Sequence, residues 1–253
     1  MDAHSKAGAT SNIRMRNGCL SVLSAPALSL LKPHLTEVCL HEGTILWESN
    51  DRTADVYFPL SGLISILLGM AEGECVAVGS VGREAVAGAI FESGRSQLLT
   101  RGSVQIGGTF LRFPGSELSR AAQKNEELKS LIAFCQDWVL VQAQQLAACN
   151  AVHSADKRFC RWLAECYQRM EGETVHVTQE SIAAVLGIRR TTVTLIAQKL
   201  QENGFIQYRR GNISIPDLPK LQGAACECCR TLDQRYWPST RLAHKAKIEA
   251  MMS

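Results

Sequence analysis

The chain has 253 residues, of which 46% are hydrophobic and 20% charged, so it can bury one large core or two ordinary ones and is not expected to be disordered. Its formal net charge of +3 is too small, taken alone, to indicate a nucleic-acid partner. No run of 18 apolar residues occurs, which argues against a membrane-spanning helix, and the polar N-terminus lacks the apolar segment of a signal peptide. We therefore expect a cytoplasmic protein without a membrane partner, in which residues 1–19 form a flexible tail.

After a short helical lead-in predicted for residues 20–37, the sequence changes to short apolar runs separated by glycines. The strand candidates are Thr44–Trp47, Val56–Pro59, Leu63–Leu68, Glu74–Val78, Gln97–Ile106 and Thr109–Phe113. Many short strands with frequent turn signals are typical of a β sandwich or jelly roll. Residues 20–115 are therefore predicted to form one β domain.

Beyond Pro114 the pattern becomes helical, and residues 116–150 are predicted to contain a short helix followed by a long one that Asn125 caps. In the long helix, seam positions recur at alternating spacings of three and four, at Leu128, Ile132, Cys135, Val139, Gln142 and Leu146. A period near 3.5 indicates a coiled-coil seam, so these six residues are the predicted homodimer interface. The alternative is that the helix packs only on its own domain. Leu131, Trp138 and Val141 supply a second apolar face. With two such faces the helix could pack on its own domain with one and on a partner subunit with the other.

A further predicted helix, residues 153–170, leads into two short helices joined by a tight turn. Thr178 is a good N-cap for the first of these, and Gly187 stands where the turn needs a positive φ. The second helix opens at Arg189 and ends at Asn203-Gly204, a pair that favours a helix C-terminus. This pattern is that of a helix-turn-helix, whose second helix lies in the DNA major groove with its first residues at the base edges.

A predicted hairpin follows, with Gly211-Asn212 as its turn and with Arg209 and Arg210 at its tip, where they can reach backbone phosphates. Residues 178–215 carry five basic and two acidic side chains, an excess that equals the net charge of the whole chain. Such a local basic excess is expected on a phosphate-binding surface. Residues 151–220 are therefore predicted to form a winged helix-turn-helix domain that binds double-stranded DNA.

Arg190 is the candidate for direct base readout, because its guanidinium fork matches O6 and N7 of guanine. The other candidate DNA contacts are Thr178, Gln179, Arg189, Thr191, Thr192, Thr194, Arg209 and Arg210. For Arg189, a plain surface role is the alternative. No nucleophile–base pair or phosphate-binding loop with supporting context is visible, so the sequence predicts no enzyme.

The order of a glycine-rich β domain, a long helix and a winged helix-turn-helix resembles the Crp/Fnr family of bacterial transcription regulators over about residues 20–220. The most specific stretch is Thr178–Ile206. The resemblance implies an α+β chain with an N-terminal jelly roll like that of cyclic-nucleotide-binding domains, and a homodimer on a two-fold symmetric operator. It also implies an effector sensed in the β domain and RNA polymerase as a partner, and it leaves activation or repression open.

Two departures from the family pattern bear on the target and the effector. Members that read the best-known half-site carry a glutamate directly after the recognition-helix arginine and a second arginine further on. Here Thr191 and Leu195 stand at those positions, so a different target sequence is expected. Cyclic-nucleotide-binding members use a Gly-Glu-Leu-Gly turn and a later Arg-Ser pair, whose counterparts here are Gly82, Glu84, Arg95 and Ser96. Because the turn is altered, the effector is unknown and cyclic AMP is kept only as an alternative.

The ten cysteines raise the question of a metal or redox site. Cys19 and Cys39 are too few and too far apart for the iron–sulfur cluster of other family members, so no such cluster is expected. Cys226, Cys228 and Cys229 are too tightly spaced for the paired CxxC of a zinc ribbon, and no metal site is predicted. Residues 221–253 are predicted to be a C-terminal tail of open function. A small-molecule-binding module that acts through protein contacts is the alternative function.

Overall fold

The computed structural model describes residues 16–51, 55–71, 73–88, 98–170 and 174–229. The chain divides into two compact units. The first unit contains the residues up to 64 together with residues 81–138, and the second contains residues 65–80 and the residues from 139 onward. Among the described residues, no helix is both long and apolar enough to cross a membrane.

Two short helices open the first unit, α1 (Gly18–Val22) and α2 (Ala25–Leu31), followed by a 3-10 turn at Lys32–His34. Asn17 is fully buried and caps α1, because its side-chain oxygen accepts hydrogen bonds from the backbone N–H groups of Cys19 and Leu20. The predicted boundary of the flexible tail at residue 19 is therefore wrong for residues 17–19, which belong to the folded unit.

Seven strands follow in the described residues, and they form two sheets. Their bounds are β1 (Thr36–Leu40), β2 (Ile45–Trp47), β3 (Asp55–Pro59), β4 (Leu63–Gly69), β5 (Cys75–Val81), β6 (Arg101–Ile106) and β7 (Gly108–Pro114). One sheet has the order β1-β7-β3, and the other has the order β2-β6-β4-β5. In the first sheet, Tyr57 lies opposite Arg112 and Glu37 lies opposite Leu111. Phe58, Phe110 and Phe113 have no exposed surface and mark the core of this sheet.

Five of the six predicted runs coincide with strands to within a few residues. The sixth, predicted from Gln97, begins at Arg101, since residues 98–100 form a bend and no strand, and Gln97 itself lies outside the described residues. Strand β1 is not among the predicted runs, and its first two residues fall within the predicted helical lead-in. It is an edge strand with mostly exposed side chains, which explains why its sequence has no strong apolar alternation.

Two helices follow the strands, α3 (Gly115–Ala122) and the long α4 (Glu126–Val152). Asn125 caps α4 as predicted, because its side-chain oxygen accepts a hydrogen bond from Leu128 N–H at 3.0 Å. The buried side chains of α4, among them Leu128, Leu131, Cys135 and Trp138, lie on one face of the helix. Lys129, Ala133, Asp137, Leu140 and Gln144 on the opposite face are exposed, so α4 packs on its own chain with one side only.

The rest of the second unit is α5 (Ala155–Arg169), β8 (Val175–His176), α6 (Gln179–Leu186), α7 (Arg190–Glu202), β9 (Gln207–Arg209), β10 (Asn212–Ser214) and α8 (Leu218–Ala224). The three strands form a small sheet of order β8-β10-β9. Helix α8, capped by Asp217, crosses the predicted start of the tail at residue 221. Leu221 is fully buried and Cys226 nearly so, so residues 221–229 belong to the fold and not to a tail.

Candidate DNA interface

The turn between α6 and α7 is built as the sequence predicts. The hydroxyl of Thr178 accepts a hydrogen bond from Ser181 N–H at 3.2 Å and caps α6. Gly187 ends α6 in the left-handed region at φ +60°, where a side chain would be strained. Ile182 and Leu186 are buried beneath the helix pair, so the opposite surface of α6 faces outward.

Helix α7 has one buried and one exposed face. Val193, Ile196, Ala197 and Leu200 are buried, as the sequence predicts. On the other face, Arg190, Thr191, Thr194 and Leu195 are exposed, while Thr192 is half-buried. Arg189 is the N-cap residue of α7, with an extended backbone and an exposed side chain. The first turns of α7 thus present a guanidinium, two hydroxyls and an apolar side chain on one surface.

Two side-chain contacts join this surface to the start of α6. A guanidinium nitrogen of Arg190 lies 2.7 Å from a carboxylate oxygen of Glu180, and both side chains are more than half exposed. The Thr194 hydroxyl donates to the Gln179 side-chain oxygen at 2.9 Å. The structure therefore brings Gln179, Arg190 and Thr194 together. Glu180 is not among the residues predicted from the sequence, because its contact with Arg190 depends on how the two helices cross.

The wing places its two arginines on the surface. Arg210 and Gly211 both have positive φ, at 48° and 81°, as in a two-residue hairpin turn. Arg209 pairs with Asn212 across this turn, so the predicted turn at Gly211-Asn212 is one residue late. Arg209 and Arg210 are both exposed. Their charges are available at the tip of the hairpin.

Lys199 has a different role from the other basic residues of α7. Its ammonium group lies 2.6 Å from a carboxylate oxygen of Asp156 at the start of α5. The hydrogen bond to Asp156 raises the pKa of Lys199 above its ordinary value. This positive charge is thus balanced within the chain and contributes little to a phosphate-binding surface.

The turn that corresponds to a cyclic-nucleotide site is closed by its own contacts. The Glu84 carboxylate accepts a hydrogen bond from Gly82 N–H at 3.0 Å. Gly18 N–H donates to the Arg83 carbonyl at 2.7 Å, and the Asn17 side chain donates to the Ala85 carbonyl at 3.3 Å. Helix α1 therefore covers this turn. Arg95 and Ser96 lie outside the described residues.

The predicted dimer seam on α4 is partly used inside the chain. Leu128 and Cys135 have no exposed surface, and Gln142 retains 3% of its surface. The Gln142 side-chain oxygen accepts a hydrogen bond from Ser80 N–H at 3.1 Å, within the second unit. These three residues face their own chain, so their assignment to a subunit interface is wrong. The other three, Ile132, Val139 and Leu146, are half-buried, and Leu140 beside them is 55% exposed.

Comparisons with known proteins bear on both units. Residues 157–224 match a family model described as the Crp-like helix-turn-helix domain. FixK2 from Bradyrhizobium japonicum has a similar structure, with a TM-score of 0.64 at 18% identity over 76% of this chain and 98% of FixK2. A Crp/Fnr-family transcriptional regulator from Eubacterium rectale gives 0.61 at 18% identity over 82% and 99% of the two chains. The protein has the Crp/Fnr fold.

A third structure with this fold is the c-di-GMP responsive global regulator CLP from Xanthomonas campestris, with a TM-score of 0.62 at 15% identity over 76% of this chain and 99% of CLP. No curated protein sequence matches this one. The predicted fold class, an N-terminal β domain followed by a long helix and a C-terminal helix-turn-helix, is confirmed. Residues 157–224 therefore contain a Crp-like helix-turn-helix, and the individual DNA contacts stay predictions.

Proposed function

We propose that this protein is a sequence-specific transcription regulator that binds a two-fold symmetric operator as a homodimer. The observation that carries the proposal is the exposed start of α7, where Arg190, Thr191 and Thr194 share one surface within a Crp-like helix-turn-helix. In a helix-turn-helix this part of the second helix contacts base edges. The family resemblance implies RNA polymerase as a partner, and we further propose that the protein acts in the cytoplasm.

Base recognition requires Arg190 to exchange partners. In the free protein Glu180 holds one guanidinium nitrogen, and both side chains are exposed to water, so this ion pair contributes little to stability. A bidentate contact with guanine gives about 1–3 kcal/mol of discrimination against other bases. Leu195, 67% exposed on the same face, offers an apolar contact for a thymine methyl group. Arg190 and Leu195 together would then read neighbouring bases.

Phosphate contacts would come from the two ends of the motif. Thr178 and Gln179 lie at the N-terminus of α6, where backbone N–H groups favour an anion. Arg209 and Arg210 lie at the tip of the wing and can reach the backbone beside the recognition helix. These contacts set position and register, while sequence preference comes from α7.

We place the dimer interface on the exposed side of α4. Ile132, Val139 and Leu146 are half-buried and follow one line along the helix. Leu140, which the folded chain leaves in water, lies about 100° around the helix from Val139 and borders this line on its exposed side. In a two-fold symmetric dimer the same stripe from each subunit packs against its copy. This arrangement would set the spacing between the two copies of α7.

The effector is proposed to be something other than cyclic AMP. The Glu84 carboxylate is already used by Gly82 N–H, and α1 covers the turn. Binding a ribose there would require both contacts to break.

The function is tested by binding the purified protein to labelled genomic fragments in the presence of excess non-specific DNA. A regulator retains a small set of fragments, and its affinity falls steeply with salt because phosphate contacts release counterions. Retention of no fragment above the competitor, with only salt-insensitive binding, would contradict the proposal and favour a module that acts through protein contacts.

A further inference from the structure

Four metal-ligating side chains from two distant segments converge in the second unit. Cys149 lies in the last turn of α4 and His153 directly follows this helix, whereas Cys226 and Cys228 follow α8. Their ligand atoms all lie within 4.8 Å of one another. The three cysteines are buried and the histidine is half-buried. We propose that these four residues form a Cys3His site for a divalent cation of the zinc class.

Backbone hydrogen bonds position the four ligand residues. His153 N–H donates to the Cys149 carbonyl at 3.0 Å, so the helical turn continues and both side chains leave the same face. Cys226 and Cys228 are two residues apart, and Cys229 N–H donates to the Cys226 carbonyl at 3.1 Å in the turn that holds them. Each segment thus supplies two ligands from a locally ordered turn.

The interatomic distances suit a tetrahedral metal. The sulfur atoms of Cys149 and Cys226 are 3.6 Å apart, and the Cys228 sulfur lies 3.7 Å from Nδ1 of His153. Zinc bonds of about 2.3 Å to sulfur and about 2.0–2.1 Å to nitrogen separate tetrahedral ligand atoms by about 3.5–3.8 Å. Since the four ligand atoms all lie within 4.8 Å of one another, no pair has to close by more than about 1 Å to accept such an ion.

Neighbouring groups also hold the ligands in orientation. Nε2 of His153 lies 3.1 Å from a Glu227 carboxylate oxygen, so Nδ1 is the nitrogen that faces the site. The Gln145 amide donates to the Cys228 sulfur at 3.0 Å. A carboxylate on the second ring nitrogen is a recurrent feature of metal-ligating histidines, where it fixes the ring and raises its basicity. Arg161, 5% exposed, interacts electrostatically with Cys149 and Cys226 and offsets the charge of their thiolates.

Four protein ligands leave no open position, which is typical of structural zinc. A disulfide between Cys149 and Cys226 would use only two of the four groups and would give His153, Glu227 and Gln145 no common purpose. The proposed ion would fasten the segment after α8 to the end of α4. These two segments precede and follow the helix-turn-helix in sequence, so the ion would link the start and the end of this domain.

The test measures metal in the full-length protein, isolated under reducing conditions without chelators. We expect one zinc ion per chain by mass spectrometry. Replacement with cobalt should give the thiolate charge-transfer and d–d bands of a tetrahedral thiolate-rich site. Cys149→Ser and Cys228→Ser should lose the metal and these bands, whereas Cys229→Ser, the adjacent buried cysteine outside the set, should keep both.

Glu227→Gln provides a variant that keeps all four ligands. Loss of an outer partner of this kind weakens metal binding by about 10–100-fold, which competition with a chromophoric chelator measures. Circular dichroism of each variant separates metal loss from unfolding, and His153→Gln serves if Cys149→Ser does not fold. Protein without stoichiometric zinc and without cobalt–thiolate bands, or protein that holds iron with acid-labile sulfide, would overturn the inference. None of these readouts uses DNA, so a zinc-free protein that still selects an operator would overturn this inference and leave the proposed function intact.

Discussion

Arg190 is the side chain on which sequence preference is expected to depend most. Arg190→Ala removes the guanidinium that would contact guanine, so it should weaken operator binding by about 1–3 kcal/mol and relax the preference at one base pair. Arg209→Ala, its control on the wing, should weaken binding to all sequences alike and reduce the salt slope by about 1. Fluorescence anisotropy on a set of single-base operator variants measures both effects. An Arg190→Ala protein with unchanged base preference would remove this residue from the readout.

Gly187 is the residue on which the turn between α6 and α7 depends. A Cβ at its φ of +60° would also lie 3.3 Å from methyl groups of Val76. Gly187→Ala should therefore destabilise the protein by about 1–2 kcal/mol, which scanning calorimetry would detect as a lower Tm. Gly223→Ala is the matched control, because this glycine lies in α8 with open space around its Cβ. The control should be neutral or slightly stabilising, and an equal loss in both variants would contradict the argument from backbone conformation.

Local chemistry made several of these residues predictable from sequence. Thr178 and Gly187 follow from the rules for helix caps, and the basic excess around Arg190 follows from composition. The partnership of Glu180 with Arg190 depends on how two helices cross, which no local rule supplies. The same holds for Cys149 and Cys226, which lie 77 residues apart in sequence.

Among the secondary-structure elements, α4 shows that a periodic sequence pattern predicts which residues share a helix face, but not what that face contacts. The 3.5-residue period placed Leu128, Cys135 and Gln142 on one side of the helix, and the structure buries all three. The period states which residues share a face, but it does not state whether that face meets the same chain or a partner. The exposed fraction of Leu140, not the strongest apolar periodicity, indicates where a partner would bind.

Leu140→Asp tests the interface on α4 without disturbing the core, because the side chain is 55% exposed in the single chain. Loss of a buried leucine contact in each subunit should raise the dimer dissociation constant by at least about 10-fold. Sedimentation equilibrium measures this constant. Leu195→Asp changes a leucine of similar exposure on α7, and it should leave dimerisation intact while impairing DNA binding. A Leu140→Asp protein that dimerises like the unchanged protein would place the interface elsewhere.

At the scale of the whole molecule, the order of elements was predictable, whereas the limits of the folded chain were not. Short strands, a long helix and a helix-turn-helix each have a sequence period or a cap of their own. Burial of Asn17 at one end and of Cys226 at the other depends on tertiary contacts. The sequence predicts tails at both ends because their polar or cysteine-rich segments have no period that indicates packing.

Selection from a random duplex pool with purified protein tests whether a symmetric dimer reads DNA sequence through α7. A dimeric reader should enrich a palindrome whose half-sites lie about one helical turn, or about 10–10.5 base pairs, apart. Each half-site should contain a guanine whose importance disappears with Arg190→Ala. Enrichment of a single asymmetric site would contradict the dimer, and no enrichment over several rounds would contradict sequence-specific binding.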